Sequence, residues 1–158
     1  MKLTTISSLA EIDPHAWNEL AASDNPFIQY DFLRALESCH CLEPWGWQPH
    51  YIIARIGDRL VGACPAYIKH NSYGEFVFDW AWADAWNRNG LAYYPKLVVA
   101  APFTPASGPR LLAREGADAS DIKQQLIQAG IETIDANKLS TAHWLFCEED
   151  DYQQLQQA

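Results

Sequence analysis

The chain has 158 residues, of which 49% are hydrophobic and 20% are charged, a composition typical of one folded domain. Its formal charge of −9 argues against nonspecific binding to nucleic acid or to an anionic membrane. No run of about 18 apolar residues occurs, so no transmembrane helix is predicted. The first residues lack the apolar core of a signal peptide, and the four cysteines include no CxxC pair. We therefore expect a cytoplasmic protein with free thiols and no metal site.

The first part of the chain predicts a strand followed by two helices. Residues 2–9 read as a short strand. Asp13 is a good N-cap and Pro14 suits the first helical position, so a helix is expected to start there. The apolar spacing within residues 29–40 predicts a second helix.

The middle of the chain predicts a hairpin, an alternating strand and a short helix. Residues 49–56 and 59–69 are rich in β-branched and aromatic side chains around a Gly-Asp turn, which predicts a hairpin. Pro65 indicates a bulge or an edge in the second of these strands. Residues 74–82 alternate aromatic with other side chains, as a strand does, and residues 82–89 have helical spacing.

The last part of the chain completes an α/β order with a mixed sheet and helices on its faces. The apolar run 96–101 predicts a buried strand, and the proline-rich segment 102–110 predicts a loop. Residues 119–137 predict a helix with one apolar face. A strand over 141–147 and a helix over 148–158 follow.

The segment 76–94 combines aromatic and charged residues in an unusual density. Tryptophan faces can stack on sugars or acyl chains, and a carboxylate in an apolar setting has a raised pKa and can act as a base. The alternative is a large aromatic core in which the carboxylates are a polar pair at a strand end and a helix cap. Lys96, directly after this segment, either belongs to an anion site or extends its side chain to the surface. The candidates are Asp79, Asp84 and Lys96 for catalysis, and Trp80, Trp82, Trp86, Tyr93 and Tyr94 for substrate binding.

The loop 102–110 is a second candidate for ligand binding, because ligands of open α/β sheets bind beyond the carboxyl ends of strands. Thr104 and Ser107 offer hydroxyl groups, and Arg110 suits a phosphate or a carboxylate. The alternative is a rigid turn built by prolines, with a surface arginine. The loop matches neither a P-loop nor a GxGxxG motif.

Four segments resemble the bacterial FemAB-like family of peptidoglycan biosynthesis or recognition proteins, which are predicted N-acyltransferases of the GNAT superfamily. The longest runs SYGEFVFDWAWADAWNRNGLAYYPKLVVAAPFTPASGPRLL (72–112), and the others span 25–37, 46–75 and 139–147. The resemblance implies a GNAT-like α+β fold, with a mixed, mostly antiparallel sheet flanked by helices on both faces. It also implies a longer protein with a second GNAT-like unit. Residues 1–158 are therefore expected to form one N-terminal domain of such a protein.

The resemblance further implies transfer of an acyl or aminoacyl group to an amine, with a cell-envelope precursor as a candidate acceptor. The candidate donors are acyl-CoA and aminoacyl-tRNA, and no tightly bound cofactor is expected. In such a reaction Asp79 or Asp84 would deprotonate the amine, and Lys96 or Arg110 would stabilise the oxyanion. The domain by itself is expected to be inactive. The GNAT loop Q/R-x-x-G-x-G/A, which holds the CoA pyrophosphate at a helix N-terminus, does not occur in the sequence.

A non-catalytic module is the alternative function. Its aromatic-rich cleft would bind a glycan, a peptide or a partner domain. The candidate partners are the second half of the longer protein and another copy of the chain, paired through an open sheet edge.

Overall fold

The structure is a computed structural model that describes residues 1–22, 24–116 and 118–158. Eight strands and five α-helices occur within these ranges. The strands are β1 (Lys2–Ile6), β2 (Trp47–Pro49), β3 (Tyr51–Ile56), β4 (Arg59–Cys64), β5 (Ala66–Lys69), β6 (Lys96–Val99), β7 (Leu112–Ala113) and β8 (Ala142–Trp144). The helices are α1 (Pro14–Ala21), α2 (Tyr30–Ser38), α3 (Trp80–Arg88), α4 (Ala119–Asn137) and α5 (Glu149–Gln156).

The strands form two four-stranded sheets, in the orders β1-β3-β4-β7 and β2-β5-β6-β8. Neighbouring strands are antiparallel except β6 and β8, which are parallel. The sheets meet at Pro65, which has no N–H to donate and separates β4 from β5. The N–H of His50 donates to the carbonyl of Ala66 at 2.9 Å across this junction. The irregularity predicted at Pro65 is therefore the point where the hairpin passes from one sheet to the other.

Helices cover both faces of the first sheet. Tyr51 and Ile53 pack into the core that holds α1 and α2, whereas Ile52 and Ala54 pack into the core that holds α4. Because both faces are covered, β3 is an apolar run without alternation. The expected class, a mixed and mostly antiparallel α+β fold with flanking helices, is confirmed, with two sheets in place of one.

Most of the predicted elements are present within a few residues of their expected bounds. The start of α1 is as predicted, since the side chain of Asp13 accepts a hydrogen bond from the N–H of Ala16 at 2.9 Å. The helix expected over 119–137 is α4 with those limits. The hairpin, the buried strand β6 and the C-terminal helix are also confirmed.

The strand expected over 74–82 is wrong. Phe76 and Phe78 have φ angles of +62° and +51°, which no strand residue adopts. The chain instead coils across the end of β6, and α3 begins at Trp80. Charge burial explains this path, because Glu75 and Asp79 are inside while Phe76 and Phe78 are exposed. The large aromatic core considered for this segment is therefore also wrong.

Two further observations concern the described ranges. None of their helices is long and apolar enough to cross a membrane. Their four cysteines are free thiols.

Candidate functional site

An open cleft of about 450 Å³ lies between α3, the coil before it and one face of β8. Thr141, His143 and Leu145 alternate along the chain and therefore face the same way, into the cleft. Ala142 and Trp144 point to the other face and pack on the α4 side. The remaining lining residues are Val77, Phe78, Asp79, Trp82, Trp86 and Tyr93.

A buried lysine lies behind the cleft. Lys96, at the start of β6, is fully buried, and its Nζ lies 2.8 Å from Oε2 of Glu75 and 2.5 Å from Oδ2 of Asp79. The same Nζ is 5.0 Å from the ring centre of Tyr93 and 3.4 Å from Oγ of Ser72. The expected alternative, in which this side chain extends to the surface, is wrong, because two carboxylates bind it in the interior.

The two carboxylates respond to burial in opposite ways. Burial raises the pKa of Asp79, but the hydrogen bonds from Lys96 and Tyr93, together with the positive charge of Lys96, outweigh this effect and lower its pKa to about 2. Burial also raises the pKa of Glu75, and there it outweighs the attraction of Lys96. The raised pKa expected for a carboxylate of segment 76–94 is therefore wrong for Asp79. The carboxyl group whose pKa is raised is that of Glu75, directly before the segment, which was not among the predicted site residues.

Each of these carboxylates keeps one oxygen without a hydrogen bond from the described residues. Oε1 of Glu75 and Oδ1 of Asp79 are both buried and unpaired. The other oxygen of Asp79 is saturated, because it accepts from Lys96 and, at 2.7 Å, from the hydroxyl of Tyr93. Asp79 occupies the N-cap position of α3, yet its side chain caps no helical N–H. The carboxylate is therefore held by the buried cluster and not by the helix.

His143 is a functional candidate that the sequence reasoning did not select. Its Nε2 lies 2.8 Å from Oγ1 of Thr141, and its Nδ1 makes no hydrogen bond to the described residues. Burial, and then the positive charge of Lys96, lower the pKa of His143 to about 4, so the imidazole is neutral at pH 7. The alternation of Thr141, His143 and Leu145 was the available signal, but the covering of that face by α3 cannot be read from it.

The aromatic side chains divide into a wall and a rim. Trp86 and Tyr93 are in edge-to-face contact at 5.7 Å between ring centres and form the inner wall. Phe78 and Trp82 line the mouth and remain 68% and 67% exposed. No residue of α3 is fully buried, although the helix carries three tryptophans. This is a large apolar surface for a solvent-facing helix, and such surfaces mark interaction sites.

Two other predicted binding residues lie beside the cleft without lining it. Trp80 is exposed and contacts Phe78 at 5.7 Å between ring centres. Tyr94 is half-buried, and its hydroxyl lies 2.5 Å from Oγ of Ser72. Both therefore support the residues of the cleft from behind or from its rim.

The structure does not bring the other predicted residues to the cleft. Asp84 is exposed and pairs with Nη2 of Arg88 at 2.7 Å on the surface of α3. Arg110 is fully buried, and its guanidinium donates to the backbone carbonyls of Leu145, Pro109 and Ala106. Arg110 is thus neither the surface residue nor the anion-binding residue that was considered.

The two hydroxyl residues of the 102–110 loop do not line the cleft either. Oγ1 of Thr104 donates to the carbonyl of Pro102 at 3.1 Å, within the loop itself. Ser107 is exposed, and its carbonyl accepts from Nδ2 of Asn25 at 3.1 Å. No group of three His, Cys, Asp or Glu side chains that could hold a metal ion occurs among the residues in the three described ranges.

Comparison with known proteins identifies the family. A family model described as FemAB-like, peptidoglycan biosynthesis/recognition, matches residues 8–158. No curated protein and no solved structure matches the chain. The match includes α3, the buried cluster and β8, and it covers nearly the whole sequence. The chain therefore belongs to the FemAB-like family of peptidoglycan biosynthesis or recognition proteins.

Proposed function

We propose that this chain is the acceptor-binding part of an N-acyltransferase that modifies an amine of a cytoplasmic peptidoglycan precursor. Family membership supports the peptidoglycan connection. The observation that carries the proposal is a neutral histidine inside an open, aromatic-walled cleft. Such a cleft is large enough for a side chain that ends in an amine, and the histidine supplies the proton acceptor that amine acylation needs.

His143 is the proposed general base. When an amine attacks a carbonyl carbon, a C–N bond forms and the nitrogen becomes positively charged and acidic. One proton must then leave the nitrogen before the leaving group departs. With Nε2 held by Thr141, Nδ1 of His143 is available to accept this proton. Asp79 is the weaker base of the two, because its pKa of about 2 lies below the pKa of about 4 of His143, and its Oδ2 already accepts hydrogen bonds from Lys96 and Tyr93.

The acyl donor is proposed to be acyl-CoA or an aminoacyl-tRNA. The sequence has no CoA pyrophosphate loop of the GNAT type. Because this loop is missing, the donor site is proposed to lie in the second GNAT-like unit of a longer protein. The donor would then meet the acceptor amine at the mouth of the cleft, beside Trp82.

The test is transfer to a muramyl peptide with a free side-chain amine. The natural full-length protein is incubated with labelled acyl-CoA or aminoacyl-tRNA donors, and products are identified by mass spectrometry. The His143→Asn variant should lose about 100-fold in rate with acceptor affinity within about twofold of wild type. The matched control is His15→Asn, because His15 is exposed on α1 and does not line the cleft.

A second function remains supported by one observation, the exposure of Phe78, Trp80 and Trp82 around the cleft. A non-catalytic recognition module would use this rim to bind a peptidoglycan fragment. Binding of the muramyl peptide without transfer from any donor would establish this alternative and overturn the acyltransferase.

A further inference from the structure

The imidazole of His143 is neutral in the cleft, so only one of its two ring nitrogens carries a proton. A base that works through Nδ1 needs this proton on Nε2, because a protonated Nδ1 has no lone pair to offer. The contact between Nε2 and Oγ1 of Thr141 does not decide the matter by itself, since a hydroxyl can either donate or accept. The groups that decide it lie beyond Thr141.

Two further groups continue the hydrogen bonds from Thr141 away from the cleft. Oγ1 of Thr141 lies 3.4 Å from Oγ of Ser140, the preceding residue. Oγ of Ser140 in turn donates to the backbone carbonyl of Tyr93 at 2.5 Å. A carbonyl has lone pairs and no proton, so the proton in this last bond comes from Ser140. The far end of the chain of hydrogen bonds therefore has a fixed direction.

The fixed end determines the direction of the bonds back to His143. A hydroxyl has one proton to donate, and Ser140 donates its proton to Tyr93. Oγ of Ser140 then accepts from Thr141, and Thr141 accepts from Nε2 of His143, so all three hydrogen bonds form. The opposite tautomer, in which Thr141 donates to Nε2, leaves the two hydroxyl oxygens 3.4 Å apart with no proton between them. Folded proteins favour the arrangement that pairs more of their polar atoms.

The surrounding structure holds the imidazole and its hydroxyl partner in place. β8 pairs with the buried strand β6, and the N–H of Leu97 donates to the carbonyl of Thr141 at 2.9 Å. The ring of Tyr93 lies edge-to-face against the imidazole of His143, with 6.2 Å between the ring centres. Tyr93 therefore contacts His143 directly through its ring and, through its carbonyl, ends the chain of hydroxyls that reaches Nε2.

We infer that Ser140 and Thr141 are positioning residues, which together with the carbonyl of Tyr93 hold the proton of His143 on Nε2 and leave the lone pair of Nδ1 as its acceptor. The inference rests on the proposed function for the view that this lone pair takes a proton from the attacking amine. The hydroxyl chain orients the imidazole but carries no proton away, because the carbonyl at its end takes none. The proton that Nδ1 receives therefore passes to the leaving group, the sulfur of CoA or the ribose oxygen of a tRNA, as its bond to the acyl carbon breaks.

Nitrogen-15 NMR of the histidine side chains measures the tautomer directly. The natural full-length protein is labelled on its histidines and studied at pH 7, and the signals of His143 are identified by their loss in His143→Asn. The ratio of the Nε2–H form to the Nδ1–H form should exceed that of N-acetyl-histidine methylamide by about fivefold or more, the factor that one additional hydrogen bond provides. A ratio equal to or below that of the model compound would overturn the inference.

Variants assign the tautomer to the two hydroxyls. Ser140→Ala removes the acceptor for Thr141, and Thr141→Val removes the middle hydroxyl while keeping the side-chain shape, so each should lower the ratio about fivefold. Thr141→Ser keeps the hydroxyl and should restore the wild-type ratio. The matched control is Ser38→Ala, because the hydroxyl of Ser38 also donates to a backbone carbonyl, that of Ala35, but does not line the cleft.

Two results would contradict this assignment. The first is an unchanged ratio in Ser140→Ala and Thr141→Val, and the second is an equal fall in Ser38→Ala. Circular dichroism reports folding, and either of the two cleft variants provides the test if the other unfolds.

The outcomes separate this inference from the proposed function. A proton held on Nε2 by the two hydroxyls, in a protein that transfers no acyl group, would keep the positioning residues and overturn the acyltransferase. Acyl transfer by a protein in which His143 carries its proton on Nδ1 would keep the acyltransferase and overturn the positioning residues.

Discussion

Two clusters of buried charge in the described part of the chain differ in how completely their carboxylates are hydrogen-bonded. The first is centred on Asp151 of α5, which is fully buried. Its Oδ2 accepts from the backbone N–H groups of Arg110 and Leu111 at 2.5 and 3.0 Å. Its Oδ1 accepts from Nζ of Lys123 at 2.7 Å. Both oxygens are therefore paired, and the cluster fastens α5 to α4 and to the chain before β7.

The second cluster, around Lys96, is paired on one side only. Glu75 and Asp79 each leave an oxygen without a partner among the described residues. In the segment that supplies these carboxylates, Phe76 and Phe78 are exposed to solvent while Glu75 and Asp79 are buried, which reverses the usual burial of aromatic and charged residues. Comparison with the Asp151 cluster shows that buried charge by itself marks no site. Incomplete pairing beside an open aromatic cleft is what distinguishes the second cluster.

The largest expected effect is that of removing the cation of the second cluster. Lys96→Met leaves Glu75 and Asp79 buried together without a counter-charge, which should lower the free energy of unfolding by about 4 kcal/mol. Urea unfolding at pH 7 measures the loss. The loss should shrink at lower pH, where the carboxylates take up protons.

The control for this substitution is Lys69→Met, at the cross-strand partner position on β5. Lys69 is also fully buried, but its strongest contacts are backbone carbonyls, so its loss should cost only about 2 kcal/mol. Equal losses for the two lysines would show that the paired carboxylates are not the reason for the larger effect.

The next effect concerns the fully paired cluster. Asp151→Ala leaves two backbone N–H groups and Lys123 without their buried acceptor, and should destabilise the fold by about 3 kcal/mol in the same urea experiment. Transfer to the muramyl peptide should stay within about twofold of wild type in the folded fraction. A larger loss of transfer in the folded fraction would break the distinction between the cluster that joins the helices and the cluster that borders the cleft.

The smallest effect is a pH dependence that originates in the cleft. The pKa of His143 is lowered to about 4 from its usual 6.5, so the unfolded chain takes up a proton in this range before the folded one does. Stability should therefore fall as pH drops from 6.5 to 4, by roughly 2 kcal/mol after allowance for partial exposure. His143→Leu should abolish most of this fall, whereas His15→Leu, on the exposed surface of α1, should preserve it.

Asp79 contributes in a different pH window. Because its folded pKa is lowered to about 2, its contribution is present above its usual 3.8 and is lost as pH falls toward 2. An unfolding profile that fell only below pH 4, with none of its change between 6.5 and 4, would contradict the environment assigned to His143.

Local chemistry made much of the fold predictable. The Asp13-Pro14 start of α1 and the limits of α4 depend on caps and on apolar spacing within one turn or one helix. The hairpin of β3 and β4 likewise depends on its own turn. These elements are decided by neighbours in the chain, and the prediction of each was confirmed.

The candidate site was predictable only in part. The concentration of aromatic residues singles out the segment that borders the cleft, and Asp79, Trp82, Trp86 and Tyr93 line it. The alternation over 74–82, however, did not show which side of the segment faces inward. Lys96 decides that side, because its buried ammonium binds Glu75 and Asp79 and so directs the aromatic rings outward. The prediction that Arg110 binds an anion fails for a similar reason. Its guanidinium donates to backbone carbonyls, one of which belongs to Leu145, 35 residues away in the chain.

By itself, then, the sequence determined the order of strands and helices, the capped helix starts, the aromatic segment and the family. Only the tertiary structure decided that Lys96 is enclosed by two carboxylates, that two of their oxygens are unpaired, and that His143 faces the tryptophans. The physical reason is the range of the interactions. Caps, turns and periodic apolar faces act over a few residues, whereas charge burial and the walls of a cleft depend on side chains that only the folded chain brings together.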